Sequence, residues 1–239
     1  MSVVADKYKP ADAALRVASA LIEGGLNGGK RGSSALHLSQ GKGHHVTVDA
    51  LIPGSVVEAL MRATPAGIVK MQRLHAKTAS FIGTLGTTAH VANGLAAFFI
   101  ANGQDPACVA ESHAAVTSFE VLKLRCAPRA KRAPTNGGPH DRAACRKLPP
   151  PPQVATDPVT KEECLYAAMT LPSLIVSTVG GGTRLPSQGA CLDVIGAKHS
   201  NELAGVLAAT CLAGEVSFYA AMVAGEFDAA HWNATHKQA

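Results

Sequence analysis

The sequence LPSLIVSTVGGGT, residues Leu171–Thr183, carries more structural information than any other part of this 239-residue chain. Apolar residues on both sides of Pro172 predict two short strands within Cys164–Thr178. Three successive glycines follow them, and the residues after the glycines, Ser187–Ile195, have the apolar spacing of a short helix. The segment therefore predicts strands, a glycine turn and a helix in that order.

The glycine turn, Val179-Gly180-Gly181-Gly182-Thr183, is a candidate anion-binding loop. Backbone N–H groups of successive glycines can point at a phosphate with no Cβ in the way. A helix N-terminus directly after the loop adds a favourable dipole for a negative charge. The pattern is neither the dinucleotide fingerprint nor a P-loop, so a plain turn stays open as the alternative.

Apolar periodicity predicts the remaining secondary structure. Val46–Leu51 alternates as a strand does, and Pro53 with Gly54 ends it. Helical spacing predicts one helix over each of the segments Ala11–Glu23, Val56–Met71 and His90–Ala101. It predicts two Ala-rich helices within Asn201–Gly225.

Composition narrows the class of protein. Apolar residues make up 47% of the chain and aromatic residues 4%, so the core is expected to consist of Ala, Val, Leu and Ile. The run Leu203–Gly225 is long enough to cross a bilayer, which takes about 20 residues, but Glu215 in its middle would be costly there. We therefore expect no membrane segment and a soluble, cytoplasmic chain. Six cysteines without metal-ligand spacing predict free thiols and no metal site.

Residues 121–160 differ from the rest of the chain. Between 121 and 153, eight Lys or Arg and one Asp give +7, more than the net charge of the whole chain, +5. Prolines are concentrated in the segment, and it has no apolar periodicity, so it cannot offset its ordering entropy. We expect a disordered basic insert in one domain formed by 1–120 and 161–239. The absence of aromatic residues from 121–153 argues against nucleic-acid binding, which we keep as the weakest alternative.

Several polar residues could carry chemistry. Asp105, in Gly-Gln-Asp-Pro after a buried helix, is either a turn residue or a carboxylate at the mouth of a cleft. Lys30 and Arg31, in a glycine-flanked loop, could clamp a carboxylate or phosphate. His231, which we place just beyond the last helix, is a surface residue or a proton donor. Arg73 is either a solvated charge or a ligand contact. His90 and Asn93 share one face of an otherwise apolar helix, so they need partners either in the core or in a ligand.

Motifs along nearly the whole chain, residues 121–160 excepted, resemble class I (eukaryotic-type) hydroxymethylglutaryl-CoA (HMG-CoA) reductases. The resemblance implies an α+β fold of the large-domain type, with helices around a small sheet, a long central helix, and an incomplete N-terminus. The motifs that carry it are Ala89–Asn93, Gly103–Ala107, Leu171–Ser173 with Thr178–Thr183, and Leu212–Ser217.

The resemblance also implies a function: NADPH-dependent reduction of HMG-CoA to mevalonate and CoA, in the isoprenoid and sterol precursor pathway. The reaction needs a cation for the oxyanion and proton donors for the carbonyl and the thiolate. By resemblance the catalytic residues are Lys30, Asp105 and His231. The substrate-binding residues are Arg31, Arg73, His90 and Asn93, and the NADPH-binding residues are Val179, Gly180, Gly181, Gly182 and Thr183.

The loop that carries the cation departs from the family pattern. The family's Asp-Lys-Lys-Pro is replaced by Gly29-Lys30-Arg31-Gly32. Counting without a gap places Arg31 on the catalytic lysine, whereas a gap of one residue places Lys30 there. We favour Lys30, because an arginine does not readily give up a proton.

Family members carry a catalytic glutamate and a small NADPH-binding domain upstream of the part seen here. We therefore expect no HMG-CoA-dependent NADPH oxidation from the 239-residue chain alone. The alternative function is a non-catalytic HMG-CoA reductase-like binding or dimerisation module. The resemblance further implies a homo-oligomer, dimer or tetramer, located at the cytosolic face of the endoplasmic reticulum membrane.

Overall fold

The computed structural model describes residues 29–39, 42–125 and 161–236. These residues form an antiparallel three-stranded sheet with helices, which confirms the α+β class. In chain order the elements are α1 (Ser34–Ser39), β1 (His44–Pro53), α2 (Gly54–Met61), α3 (Pro65–Phe81), α4 (Val91–Ala101), a 3-10 turn (Pro106–Cys108), α5 (Val109–Ser112), β2 (Val116–Arg125), β3 (Lys161–Leu174), α6 (Pro186–Ile195), α7 (Ser200–Val223) and α8 (Glu226–His236).

The sheet has the order β1-β3-β2, so the 14-residue strand β3 lies in the centre. Alternate side chains of a strand point to opposite faces. In β3 the inward set is fully buried, and Phe119 of β2 joins it on the same face. Helices α3 and α7 pack on this face and close the core. The inward residues of β3 are Leu165, Ala167, Met169 and Leu171.

Strand β3 continues through Pro172, where the sequence predicted two separate strands. The β1–β3 register shifts between His44 and Val46, so Pro172 and Ser173 lie at a bulge. A bulge is one of the places where a strand tolerates proline, because no ladder hydrogen bond is required there. The two predicted strands are therefore one strand with an irregularity.

The predicted insert also needs a correction at its start. Residues 121–125 belong to β2, and Val121 packs against the core. Residues 126–160 lie outside the described part of the chain, as does the predicted helix Ala11–Glu23. The strand predicted over Val46–Leu51 and the helices predicted over His90–Ala101 and Ser187–Ile195 are confirmed.

Three helix boundaries differ from the sequence prediction. The helix predicted over Val56–Met71 is two helices, because Arg62 adopts a left-handed conformation (φ 51) and Thr64 caps α3 through the Gly67 N–H. The two helices predicted over Asn201–Gly225 are the single helix α7. The prediction that His231 lies beyond the last helix is wrong, since α8 continues through it.

Helix α7 is the only helix of the described residues that is long and apolar enough to cross a membrane. One of its faces lies in the core, where Leu203, Leu207, Cys211 and Tyr219 are each at most 1% exposed. Glu215 is fully buried on the same face. A buried apolar face is typical of the core helix of a folded domain, whereas a buried acid such as Glu215 requires a partner there.

The carboxylate of Glu215 binds the N-terminus of helix α4. Its Oε1 accepts the N–H groups of His90 and Val91, the second at 3.0 Å, and its Oε2 accepts the Ala89 N–H at 3.2 Å. The first N–H groups of a helix have no partner inside the helix. The N-cap residue His90 makes no side-chain capping bond, so Glu215 supplies the acceptor from another helix. The negative charge also faces the positive end of the α4 dipole.

We expect Glu215→Leu to lower the free energy of unfolding by about 3 kcal/mol or more, because three N–H groups would lose their charged acceptor inside the protein. Glu215→Gln retains one acceptor oxygen and should cost less. Urea titration followed by far-UV circular dichroism measures both. The control is Glu58→Gln, which removes an exposed carboxylate and should change stability by at most about 0.5 kcal/mol. Equal stability of Glu215→Leu and the unmodified chain would contradict the capping role.

Candidate functional site

Lys30 and Asp105 form an ion pair at the surface. Lys30 Nζ lies 2.9 Å from Asp105 Oδ2, and the two side chains are 60% and 49% exposed. Asp105 Oδ1 accepts the Ala107 N–H at 3.0 Å at the start of the 3-10 turn. Asp105 therefore acts both as a turn-capping residue and as the partner of a cation, the two alternatives that the sequence left open.

The ion pair keeps both groups charged near neutral pH. The hydrogen bond from Lys30, and then the one from the Ala107 N–H, hold the pKa of Asp105 below its usual value. The same hydrogen bond to Asp105 raises the pKa of Lys30. The ammonium is thus a stable cation that reaches solvent, which is the property required for binding a developing negative charge.

The turn that carries Lys30 is unusual. Lys30 has φ 58, a left-handed conformation that residues other than glycine seldom adopt. The neighbouring Arg31 points away, and its guanidinium donates to the Gly29 carbonyl at 3.3 Å. Of the two candidate cations, Lys30 is therefore the one that pairs with Asp105.

The loop before Asp105 is attached to the glycine loop through its backbone. The Gly103 carbonyl accepts the Gly182 N–H at 3.0 Å. Gln104 Oε1 accepts the Ser177 N–H and Gln104 Nε2 donates to the Ser177 carbonyl, both at 2.9 Å. The side-chain amide thus pairs with Ser177 as a neighbouring peptide group would. The two loops enclose a cavity of about 200 Å³ with Asp105 at its edge.

The glycine loop is closed by its own hydrogen bonds. Thr183 is buried, and its hydroxyl donates to the Gly180 carbonyl at 2.6 Å. The Leu185 N–H donates to the Gly182 carbonyl at 3.0 Å, just before α6 begins. Val179 is 71% exposed. The hydroxyl proton of Thr183 therefore fixes the shape of the loop, whereas Val179 and the glycines form its outer surface.

A thiol lines the same cavity. Burial, together with the nearby Glu111, raises the pKa of Cys108 to about 11, so it is protonated at neutral pH and not a thiolate nucleophile.

Glu111 itself is buried and forms a second ion pair, in which it lies 3.3 Å from Lys42 Nζ. The Lys42 carbonyl accepts the Ser173 hydroxyl at 2.7 Å. This second ion pair ties the chain before β1 to α5 and to the end of β3.

Sequence reasoning did not identify Gln104, Cys108 or the Lys42–Glu111 pair. Gln104 is adjacent to Asp105, which is the one signal that could have identified it. Lys42 and Glu111 are 69 residues apart, and no local pattern indicates such a pair. No group of three or more His, Cys, Asp or Glu residues suited to a metal ion occurs within 29–39, 42–125 and 161–236.

The other predicted site residues lie on different elements. Arg73 is on α3 and lines a separate groove of about 750 Å³ with Lys70 and Lys77. His90 precedes α4 and is half-buried against α7, and Asn93 is exposed on α4. The ring of His231 on α8 lies 4.3 Å from that of Phe227, and its Nδ1 lies 2.9 Å from the Phe227 carbonyl oxygen. Asp105 and the glycine loop are therefore the predicted residues that line one cavity, and Lys30 is joined to them through its ion pair with Asp105.

We expect Lys30→Met to raise the pKa of Asp105 towards its ordinary value and Arg31→Met to leave it unchanged. The ion pair is complete above the ordinary pKa of an aspartate and is lost as the pH falls through the lowered pKa of folded Asp105. At alkaline pH it is lost as the pH rises through the raised pKa of Lys30. Titration of the Asp105 side-chain carbon by NMR measures the shift. The opposite pattern, with Arg31→Met raising this pKa, would assign the pairing cation to Arg31.

We expect Gly103→Ala to destabilise the protein more than Gly196→Ala. Both glycines have a positive φ, +67 and +72, so each alanine adopts a left-handed conformation that costs about 1–2 kcal/mol. At Gly103 the new Cβ would also overlap the Gly182 backbone, whereas at Gly196 it meets no atom within 4 Å. Overpacking adds about 1–3 kcal/mol. Urea unfolding measures the difference, and equal losses would exclude the close contact between the loops.

Comparison with known proteins places these observations in a family. The family model of hydroxymethylglutaryl-coenzyme A reductase matches residues 16–236. A 3-hydroxy-3-methylglutaryl-coenzyme A reductase of Halobacterium salinarum is 33% identical over 207 residues, which cover 83% of this chain and 42% of the relative. Reductase 1 of Gossypium hirsutum is 31% identical over 209 residues, which cover 83% of this chain and 29% of the relative.

Reductase 2 of Dictyostelium discoideum is 31% identical over 211 residues, covering 83% of this chain and 33% of the relative. Archaeal and eukaryotic reductases are thus both among the relatives, and the chain spans less than half of the length of each of these three. The family model covers most of the chain, including the cation turn, the Asp105 loop and the glycine loop. The chain belongs to the hydroxymethylglutaryl-coenzyme A reductase family.

Proposed function

We propose that this chain carries the substrate-binding part of a class I HMG-CoA reductase and takes part in the NADPH-dependent reduction of HMG-CoA to mevalonate and CoA. The observation that carries the proposal is the ion pair of Lys30 with Asp105, which lines the cavity formed with the glycine loop. Family membership supplies the reaction, and the geometry supplies a role for each of these groups.

Lys30 acts on the oxygen of the thioester carbonyl. Reduction of a carbonyl places negative charge on its oxygen, and a fixed cation next to that oxygen lowers the barrier. The Lys30 ammonium is half-exposed, held by Asp105 and charged at neutral pH. It also carries a proton that can be transferred to the oxygen, which an arginine would not readily give up. Asp105 orients the ammonium and keeps it protonated.

The glycine loop suits the nicotinamide end of NADPH, the group that supplies hydride when bound. A Cβ at Gly180 would meet no atom within 4 Å, so the loop surface is open at this point. The cavity of about 200 Å³ is smaller than the sites of about 300–1,000 Å³ that enclose whole drug-sized ligands. The described residues would therefore hold one ring-sized group of the dinucleotide.

The remaining residues complete the proposed site. His231 protonates the CoA thiolate, and Arg31, Arg73, His90 and Asn93 contact the substrate. Arg73 shares its groove with two lysines, which gives that surface the charge required by an anionic substrate. Because this groove and the cavity lined by Asp105 have different linings, we propose that a second copy of the chain completes each site in a dimer or tetramer.

By family, the protein is proposed to act at the cytosolic face of the endoplasmic reticulum membrane. The alternative function, a non-catalytic binding or dimerisation module, shares the binding site and differs in the absence of hydride transfer. Binding and turnover therefore need separate measurements.

We expect isothermal titration calorimetry to detect HMG-CoA binding to the purified chain, and we expect Lys30→Met to weaken it at least about tenfold, because a charge-assisted contact is lost. Lys123→Met is the matched control, since Lys123 is an exposed lysine of β2 that pairs with Glu163. No heat with HMG-CoA would overturn the proposed function.

Turnover is followed by the absorbance of NADPH with HMG-CoA present. From the sequence we expect the 239-residue chain to bind HMG-CoA without oxidising NADPH. Robust turnover would contradict that expectation and exclude the binding-module alternative. Turnover that is lost in Lys30→Met and kept in Lys123→Met would assign the catalytic cation.

A further inference from the structure

The imidazole of His90 occupies space that a side chain on α7 would otherwise fill. A Cβ built at Gly214 would overlap Cδ2 of His90 and would lie 2.8 Å from its Nε2. A Cβ at Gly94 would lie 3.8 Å from the same two ring atoms. These two ring atoms therefore lie close to two glycines, one on α4 and one on α7.

The backbone of His90 is fixed by the residue that follows Gly214. Glu215 accepts the N–H groups of His90 and of both its neighbours, Ala89 and Val91. Two consecutive residues of α7 thus act on His90 in different ways. Gly214 leaves room for the ring, and Glu215 holds the peptide groups on either side of it.

A glycine inside a helix is destabilising compared with alanine. Gly214 lies well inside α7, and the group that fills its free volume is the His90 ring. Gly205, on the same helix, would receive a Cβ with no atom within 4 Å. The two glycines therefore differ in what an alanine would meet, which makes one a matched control for the other.

We propose that Gly214 and Glu215 are positioning residues that hold the imidazole of His90 in a single orientation. The inference deepens the proposed function and rests on it for one point only, the assignment of His90 as a substrate contact. A side chain that is already fixed loses less conformational freedom when a ligand binds. The orientation of the His90 ring is thus set by α7, a helix whose other contacts are in the core.

The first experiment is NMR of the histidine rings in the full 239-residue chain, with the His90 signals assigned by their absence from His90→Ala. We expect a nuclear Overhauser effect between the Gly214 Hα and His90 Hδ2 protons. Gly214→Ala should shift the His90 ring signals, because the ring has to leave its position, and Gly205→Ala should not. Unchanged His90 ring signals in Gly214→Ala would overturn the role of Gly214.

The second experiment is a double-mutant cycle of melting temperatures, which isolates the contact between the two residues. Gly214→Ala should lower Tm in the unmodified chain. In the His90→Ala background the same substitution should give a Tm equal to or higher than that of His90→Ala alone, because the clash is gone and alanine favours the helix. An equal drop in both backgrounds would overturn the proposal, and this comparison holds even if Gly214→Ala folds poorly by itself.

Glu215 is tested through the amide protons that it accepts. Glu215→Gln replaces a charged acceptor with a neutral one, so the His90 and Val91 amide protons should move upfield. Unchanged shifts would remove Glu215 from the proposal. None of these measurements contains a substrate, so they can succeed or fail independently of HMG-CoA reduction.

The link to binding is tested with HMG-CoA calorimetry on the two alanine variants. We expect at least about a threefold loss of affinity in Gly214→Ala and unchanged affinity in Gly205→Ala, because ligand binding has to restore the ring position only in the former. Equal affinities together with a displaced ring would show that His90 is not a substrate contact and would overturn the functional part of the inference.

Discussion

One carboxylate inside the core determines how the helices are arranged. Glu215 would be costly to bury as an isolated charge, and its acceptors are satisfied by three N–H groups at the start of α4. Burial raises the pKa of its neighbours Cys211 and Tyr219, to about 12 for Cys211, so both stay neutral. The helix dipole of α4 is therefore the partner of this charge, and α4 and α7 are held together at a defined point along both helices.

The local elements could be predicted from sequence more completely than the contacts between them. Alternation identified β1, and apolar spacing identified α4 and α6, because these patterns repeat within a few residues. Pro172 led to a wrong boundary for β3, since a proline looks like a break in isolation. Its tolerance depends on a distant partner, because it lies at a bulge against β1.

The candidate site shows the same division. Asp105 and the glycine loop were identified separately, by residue type and by resemblance. Their proximity depends on Gln104 and Ser177, which are 73 residues apart and pair through a side-chain amide and a peptide group. A contact made to backbone atoms leaves no requirement on the residue type at position 177. Sequence alone therefore indicated the chemical groups and not the arrangement that joins them.

The two ion pairs near the site serve different purposes. In the Lys42–Glu111 pair the carboxylate is buried and the lysine is partly exposed, so removal of Lys42 would leave an uncompensated buried charge and affect folding. The Lys30–Asp105 pair is exposed, and exposed pairs contribute little to stability. The unusual backbone conformation of Lys30 supports the binding role proposed for this pair.

Helix α4 fixes the spacing between His90 and the Asp105 loop. His90 stands before its first residue, and the Asp105 loop leaves from its last turn, so 11 helical residues, about 16 Å, separate them. A helix is a stiff spacer, and its length cannot adapt to ligands of different size. Insertion of one residue into α4 would preserve every functional group yet turn one end about 100° relative to the other.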